Sequence, residues 1–482
     1  MSDLHELGAL AVGDLVRRRE VRVVDVVAHA LARADGVGER LGAFAVRTPE
    51  RALDAAAALD RALAAGTAPD GPLVGVPTAV KDLTATAGVV TARGSVLGRG
   101  HVPAVDDDVV GLLRAAGTVS VGKTAVPEFG LPCYTEPAGA RPAVTPWDPS
   151  RSAGGSSGGA AAAVAGRVLA VAHGTDGGGS IRIPASVCGL VGLKTSRGRV
   201  PAGPAGGDPA GLSVHGPLAR TVGDAAAFLD ALCGTRSWPG EPFVPAAPPP
   251  GGFLAAASSP LGRRLRIGVM TAPPFGSGAG DGDGVDPVCR AAAEDAAALL
   301  ATLGHHVEPV TLLLSDEVVE AFLLLWAVLA RADPVAPADK PALQPLTRYL
   351  RERGRGTDGV AALGALHTVQ VATRRMVAER AGLDAVLTPS VALPPRPVGW
   401  FTDGGDPAVD FARQIAFTPW TAVANLTGEP ALGLPLGWPE VDGRILPVGV
   451  TLRGRRGEEA LLLALGAELE AAAPWAHRIP PG

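Results

Sequence analysis

Two glycine-bounded serines and one lysine supply the residue types for acyl transfer. Ser156 sits in GGSSGG (154–159) and Ser180 in GTDGGGSIRIPA (174–185). Gly177, Gly178 and Gly179 let backbone N–H groups converge on one point, which is what an oxyanion requires. Ser180 follows directly and is placed as a nucleophile. A serine needs a base. Histidines occur at His173, His215, His305, His306, His367 and His477, none in a setting that would serve. Lys81 ends the apolar run LVGVPTAVKD (73–82), where burial would lower its pKa and make a neutral amine available near pH 7. Lysine is also scarce, with four (Lys81, Lys123, Lys194, Lys340) against 39 arginines. A lysine retained in such a chain is a candidate for what an always-charged arginine cannot do, which is to lose its proton.

These residues need elements to hold them. Residues 7–64 read as helices, and Leu73–Val80 as a buried strand ending at Lys81. Asp106–Asp108 start a helix that stops at Gly117, followed by a strand over Thr118–Val121. An Ala-rich helix (Ala160–Ala165) and a strand (Val168–Ala172) join the two Gly/Ser segments tightly, which argues against a pair of linkers. Leu131–Gly159 has little periodicity, and such a stretch inside a domain is more often functional than idle. Trp238–Gly252 reads as a Pro-rich surface crossover. Beyond it come a strand at Leu265–Met270, a helix from Asp286-Pro287 to Leu303 and a strand over His306–Leu313. The last third adds helices at Glu317–Arg331 and Gly359–Ala381, a strand at Ala385–Leu387 and a hairpin-like pair at Leu432–Leu436 and Leu446–Leu452. Strand alternating with helix gives an α/β class. The expectation is one domain over 1–482. It has a helical part (1–70), a core (71–235) and a second half (265–482) with a helical insertion at about 315–382.

Other patterns fail on context. Gly117-x4-Gly122-Lys123-Thr124 matches a phosphate-loop string, but its middle residues prefer a strand. Gly154-x-Ser156-x-Gly158 matches a nucleophile elbow without the strand that must precede it. His305-His306 lacks further metal ligands, and Asp281–Asp286 lacks calcium-loop spacing. No metal or other cofactor is called for. A net charge of −5 with no basic run leaves no footprint for nucleic acid or anionic membrane. The longest apolar run, Ala321–Ala330, is ten residues, half of a bilayer span. Cys133, Cys188, Cys233 and Cys289 are widely spaced, and the start of the chain lacks a secretory pattern, so a cytoplasmic protein is expected.

The residues also resemble a known family. Lys81 at the end of GPLVGVPTAVKDL, GGSSGG, and GTDGGGSIRIPASVCGLVGLK are similar in order and spacing to the amidase signature family of serine hydrolases. GKTAVPEFG (122–130), HGPLART (215–221), LTPS (387–390) and NLTGEPAL (425–432) extend the likeness. The resemblance implies a large mixed twisted β-sheet covered by helices on both faces. It also implies a Ser–cis-Ser–Lys triad, with Ser180 as acylating nucleophile, Ser156 as relay and Lys81 as base. The N–H groups of Gly177, Gly178, Gly179 and Ser180 would bind the oxyanion. Asp176, Ser157 and Arg182 match supporting positions. Gly130 aligns with a residue lining the acyl pocket of one member, fatty acid amide hydrolase. Gly177, with AHG at 172–174, is similar to the branch of nylon-oligomer cyclic-dimer hydrolase and aryl acylamidases. Two departures flank the site: Arg141–Trp147 lacks the usual Gly, Thr and Asn, and Thr195 stands where Pro is usual.

The activity implied is hydrolysis of a small-molecule amide, with a homodimer as an option for assembly. Three alternatives share the residues. An acyltransferase or lactam-forming enzyme would use the same acyl-enzyme with an amine in place of water. An ammonia-supplying amidotransferase subunit typically has Gln where this chain has Ile183. A binding protein would not need an intact triad.

Overall fold

The computed structural model describes residues 4–204, 207–234, 247–275 and 284–481. Most of the Trp238–Gly252 crossover and the start of Asp281–Asp286 lie outside these residues. Three strands, β1 (Phe44–Arg47), β2 (Pro77–Lys81) and β3 (Val119–Thr124), form a sheet in the order β1-β3-β2. β2 runs parallel to β3 and β1 antiparallel. β1 corrects the helical reading of 7–64. Its FAVR sequence alternates half-buried and exposed, the period of an edge strand. Four residues among alanine-rich helices are too few to register as a separate pattern. β2 begins at Pro77 rather than Leu73, because 73–75 is a turn whose Gly75 N–H donates to Gly117 O. β3 runs straight through Gly122-Lys123-Thr124, so that string is a strand rather than a phosphate nest.

The larger sheet contains β4 (Val171–Asp176), β5 (Val191–Lys194), β6 (Val214–Ala219), β7 (Arg266–Val269), β8 (His306–Pro309), β9 (Ala385–Pro389) and β10 (Ala431–Gly437). After a short hairpin of β11 (Glu440–Val441) and β12 (Arg444–Ile445), β13 (Val448–Gly454) completes it. The order is β4-β6-β5-β10-β13-β9-β7-β8. All neighbours are antiparallel except β7, which is parallel to β8 and β9. The sheet is therefore mixed, as expected. It is not continuous with the three-stranded sheet: Thr78 Oγ1 donates to Val171 O at 3.1 Å, and side chains take the place of a ladder between β2 and β4.

Helices cover both faces. On β10, Leu432 packs against Gly466 of the helix Glu459–Ala472. The next residue, Gly433, faces Arg182 of the helix Arg182–Cys188 on the opposite side. Successive strand residues point to opposite faces, so one dipeptide samples both layers. Three helices, Asp316–Leu329, Pro345–Arg353 and Gly359–Glu379, fill the region of the expected insertion; the middle one was not anticipated. Asp286 caps the helix Pro287–Thr302 by accepting from Val288 N, with Pro287 first inside. No helix among the described residues is long and apolar enough to cross a membrane.

Candidate active site

Lys81 closes β2 with its side chain fully buried. Its Nζ lies 2.8 Å from Ser156 Oγ, 2.9 Å from Thr175 Oγ1 and 3.1 Å from Thr175 O. Burial dominates its titration and pushes the amine down to about 7, against an opposing pull from the Asp176 carboxylate. Above that pH the amine has a lone pair to accept one proton and two N–H groups to donate. The three oxygens match this inventory: one hydroxyl donates to Nζ while the other two atoms accept from it.

A second layer holds the strand that carries this lysine. Lys81 N donates to His173 Nδ1 at 3.2 Å, so His173 carries its proton on Nε2, which donates to His215 Nδ1 at 2.9 Å. Burial, with Lys81 close by, keeps both rings neutral. His215 is pushed down to about 4, and His173 well below its ordinary value. Thr195, at the departure from the family pattern, donates its hydroxyl to His215 O at 2.9 Å.

Ser156 precedes the helix Gly158–Ala165, and the Gly155–Ser156 peptide is cis. A Cβ at Gly155 would lie 2.7 Å from Tyr134 N, so only glycine allows the two backbones to approach this closely. Ser157 ties the two serine segments together. Its N–H donates to Ser180 O at 3.1 Å, and its Oγ donates to Thr175 O at 3.2 Å. The elbow reading of this segment fails, since only isolated bridges at Arg151 and Ser152 precede it.

Asp176, at the end of β4, anchors the turn that follows. Its carboxylate accepts from Arg182 Nε and Nη2, both at 2.9 Å, and from Asn425 Nδ2 at 2.9 Å. It also accepts from Gly179 N at 2.7 Å and Ile181 N at 3.2 Å. Burial alone would raise its pKa, but the Arg182 guanidinium outweighs this and holds it well below the usual carboxylate range. The Gly179 N–H, expected among the oxyanion donors, is thus committed to Asp176. Gly177, Gly178 and Ser180 remain. Ser180 is buried but still borders a cavity.

Gly130 lies against Ser156. It has φ +71°, and a Cβ there would come within 3.3 Å of Ser156 Oγ and 2.5 Å of Leu83 Cδ1. The cavity beside Ser180 is lined by Gly178, Ile183, Phe322 and Trp326 among other apolar residues.

Lys81, Ser156 and Gly130 thus adjoin one another, and Ser157, Ser180, Asp176, Gly179 and Arg182 are joined by hydrogen bonds and chain next to them, with Gly177 and Gly178 between Asp176 and Gly179. Local sequence does not mark Thr175, His173, Asn425 or Thr421, whose carbonyl oxygen accepts from Arg182 Nη1 at 2.8 Å. Thr175 and His173 alternate with Ala172 and Gly174 along β4, a pattern that looks like ordinary strand. Asn425 stands in NLTGEPAL, but its contact with Asp176 spans 249 positions of chain.

The profile of the family described as Amidase matches residues 25–463. The 6-aminohexanoate-cyclic-dimer hydrolase of Paenarthrobacter ureafaciens is 34% identical over 503 residues, covering 98% of this chain and 96% of that protein. A solved structure of 6-aminohexanoate cyclic dimer hydrolase complexed with substrate matches with a TM-score of 0.86 at 31% identity, covering 99% of each chain. A bacterial aryl acylamidase gives a TM-score of 0.84 at 25% identity, covering 98% of this chain and 97% of that one.

Proposed function

The chain belongs to the amidase signature family and is a hydrolase of amide C–N bonds, and from that premise we propose that it cleaves small-molecule carboxamides through an acyl-enzyme on Ser180. Ser180 Oγ attacks the carbonyl carbon. Its proton passes to Ser156 Oγ as the Ser156 proton passes to the Lys81 lone pair. The N–H groups of Gly177, Gly178 and Ser180 receive the developing oxyanion. Collapse of the adduct breaks the C–N bond, and the leaving nitrogen takes a proton back along the same relay. Water then attacks the ester, releasing the carboxylic acid and restoring Ser180.

The observation that carries this reading is the 2.8 Å contact between Lys81 Nζ and Ser156 Oγ, with the amine pushed down to about 7. A lysine near its ordinary pKa would hold its proton at neutral pH and could not accept another. Thr175 supports the base by accepting from both amine hydrogens. Asp176 and Arg182 act through the turn they hold.

Reaction with a fluorophosphonate, followed by mapping of the modified residue, tests the assignment. Modification at Ser180, abolished in Ser180→Ala and strongly slowed in Lys81→Ala, is expected. Modification elsewhere, or full reactivity in Lys81→Ala, overturns it.

A further inference from the structure

The cavity beside Ser180 says what kind of amide fits. None of its lining residues is charged. The side chains of Gln414 and Thr418 are already engaged. Gln414 Oε1 accepts from Cys133 N at 2.9 Å, and Gln414 Nε2 donates to Asp410 Oδ1 at 2.7 Å. Thr418 Oγ1 donates to Gln414 O at 2.9 Å. Burial pushes the Cys133 thiol well above its ordinary pKa, so it brings no charge. Neither a carboxylate nor an ammonium would find an opposite charge in this cavity, and a buried unpaired charge is strongly disfavoured.

The walls are aromatic to a degree the whole chain is not. Phe275, Phe322, Trp326 and Phe411 line the cavity in a protein whose aromatic content is 4%. Two of them come from one stripe of the helix Asp316–Leu329, where Val319, Phe322, Leu323 and Trp326 recur at helical spacing. Phe322 and Trp326 stand with ring centroids 5.8 Å apart. Trp326 also reaches the glycine turn: a Cβ at Gly177 or Gly178 would lie 3.7–3.8 Å from its ring. The same indole therefore covers the backbone that would bind the oxyanion and walls the space beside it.

Orientation follows from the relay. Lys81 and Ser156 do not line this cavity, whereas Ser180 and Gly178 do. The departing nitrogen has to face Ser156 to receive its proton. The acyl group is left to occupy the cavity.

Resting on the acyl-enzyme reading above, we propose that the natural amide carries an uncharged, apolar acyl group of phenyl size or larger, and that Trp326 is a specificity-determining residue that selects it.

The test uses fluorophosphonates with phenylethyl, hexyl and 6-ammoniohexyl tails, together with phenylacetamide, hexanamide, 6-aminohexanamide and acetamide. Ser180 is expected to react with the two apolar reagents about 100-fold faster than with the cationic one, because the charge has no partner. Trp326→Ala should slow the phenylethyl reagent about tenfold more than it slows a methyl fluorophosphonate, and raise KM for phenylacetamide more than for acetamide. Trp326→Phe should recover most of the loss. An unchanged circular-dichroism spectrum and urea-unfolding midpoint show that Trp326→Ala is folded. Equal rates for charged and apolar tails, or equal losses on small and large acyl groups in Trp326→Ala, overturn the proposal. If Ser180 reacts but the tail preference is absent, only this inference falls. If Ser180 is not the residue modified, the proposed mechanism falls with it.

Discussion

The main-chain N–H of Ser157 donates to the carbonyl oxygen of Ser180 at 3.1 Å. This bond joins the residue after Ser156 to Ser180 itself, across the helix and strand that separate them in sequence. The spacing of the two backbone segments is therefore fixed, and Lys81 reaches Ser156 from the end of β2 in the three-stranded sheet. Each of the three side chains can be tested through a different property.

Activity should follow the lysine. The proposed relay needs neutral Lys81, whose amine is pushed down to about 7 by burial. We expect kcat/KM for an amide to rise with pH through about 7 and then level off. Lys81→Arg keeps a cation that cannot lose its proton and should cost at least about 100-fold on amides. Esters, whose leaving group needs no proton, should suffer less. Retained amide hydrolysis in Lys81→Arg would defeat the relay.

Stability should carry the same signature with a definite sign. Lys81 and Lys194 are both pushed down to about 7 by burial, from an ordinary 10.5. Between those values the unfolded chain holds the extra protons, so raising the pH favours the folded state. Each lysine contributes a slope of about 1.4 kcal/mol per pH unit at most. Lys81→Met should remove one such slope, seen as a flatter dependence of urea-unfolding free energy on pH. The window to measure is pH 7–9, because above it the buried cysteines, raised from 9.0, oppose the trend. An unchanged slope in Lys81→Met would mean that the amine keeps an ordinary pKa.

Gly130→Ala separates the relay from the scaffold. The left-handed backbone at Gly130 makes alanine cost about 1 kcal/mol, and Leu83 can swing aside to relieve the nearer clash. The new methyl still lies against Ser156 Oγ. We expect a small drop in Tm but a fall of about tenfold or more in kcat. A variant with wild-type kcat would place Ser156 outside the rate-determining chemistry.

Asp176→Asn should act through folding. Arg182 is 1% exposed, and its charge is balanced by that carboxylate. Leaving a buried guanidinium unpaired costs about 3–5 kcal/mol. Denaturant unfolding should show this loss, and reaction of Ser180 with a fluorophosphonate should slow in the fraction still folded. Unchanged stability would mean that Arg182 finds another partner.

Part of this arrangement was readable from the chain. The apolar run before Lys81 marked a buried strand end, and the scarcity of lysine pointed to unusual environments. Lys81, Lys123 and Lys194 are each at most 1% exposed, whereas Lys340 is exposed. The glycines around Ser156 and Ser180 marked close backbone packing. What escaped has a common cause. β1, the Lys81–His173 bond and the commitment of Gly179 N–H to Asp176 depend on which segments meet, and periodicity within one segment does not report that. The same holds for strand order: nothing local to β5 says that it pairs with the distant β10 as well as with β6.

The Asp176 anchor draws on both ends of the gene. Lys81, Ser156, Ser180 and Arg182 are all made early, yet Thr421 O receives Arg182 Nη1 at 2.8 Å and Asn425 completes the carboxylate's shell. A nascent chain on the ribosome therefore holds Ser180 on a turn that lacks two of its partners until residue 425 has emerged. A chain truncated before Thr421 would lack both partners of the Asp176–Arg182 pair.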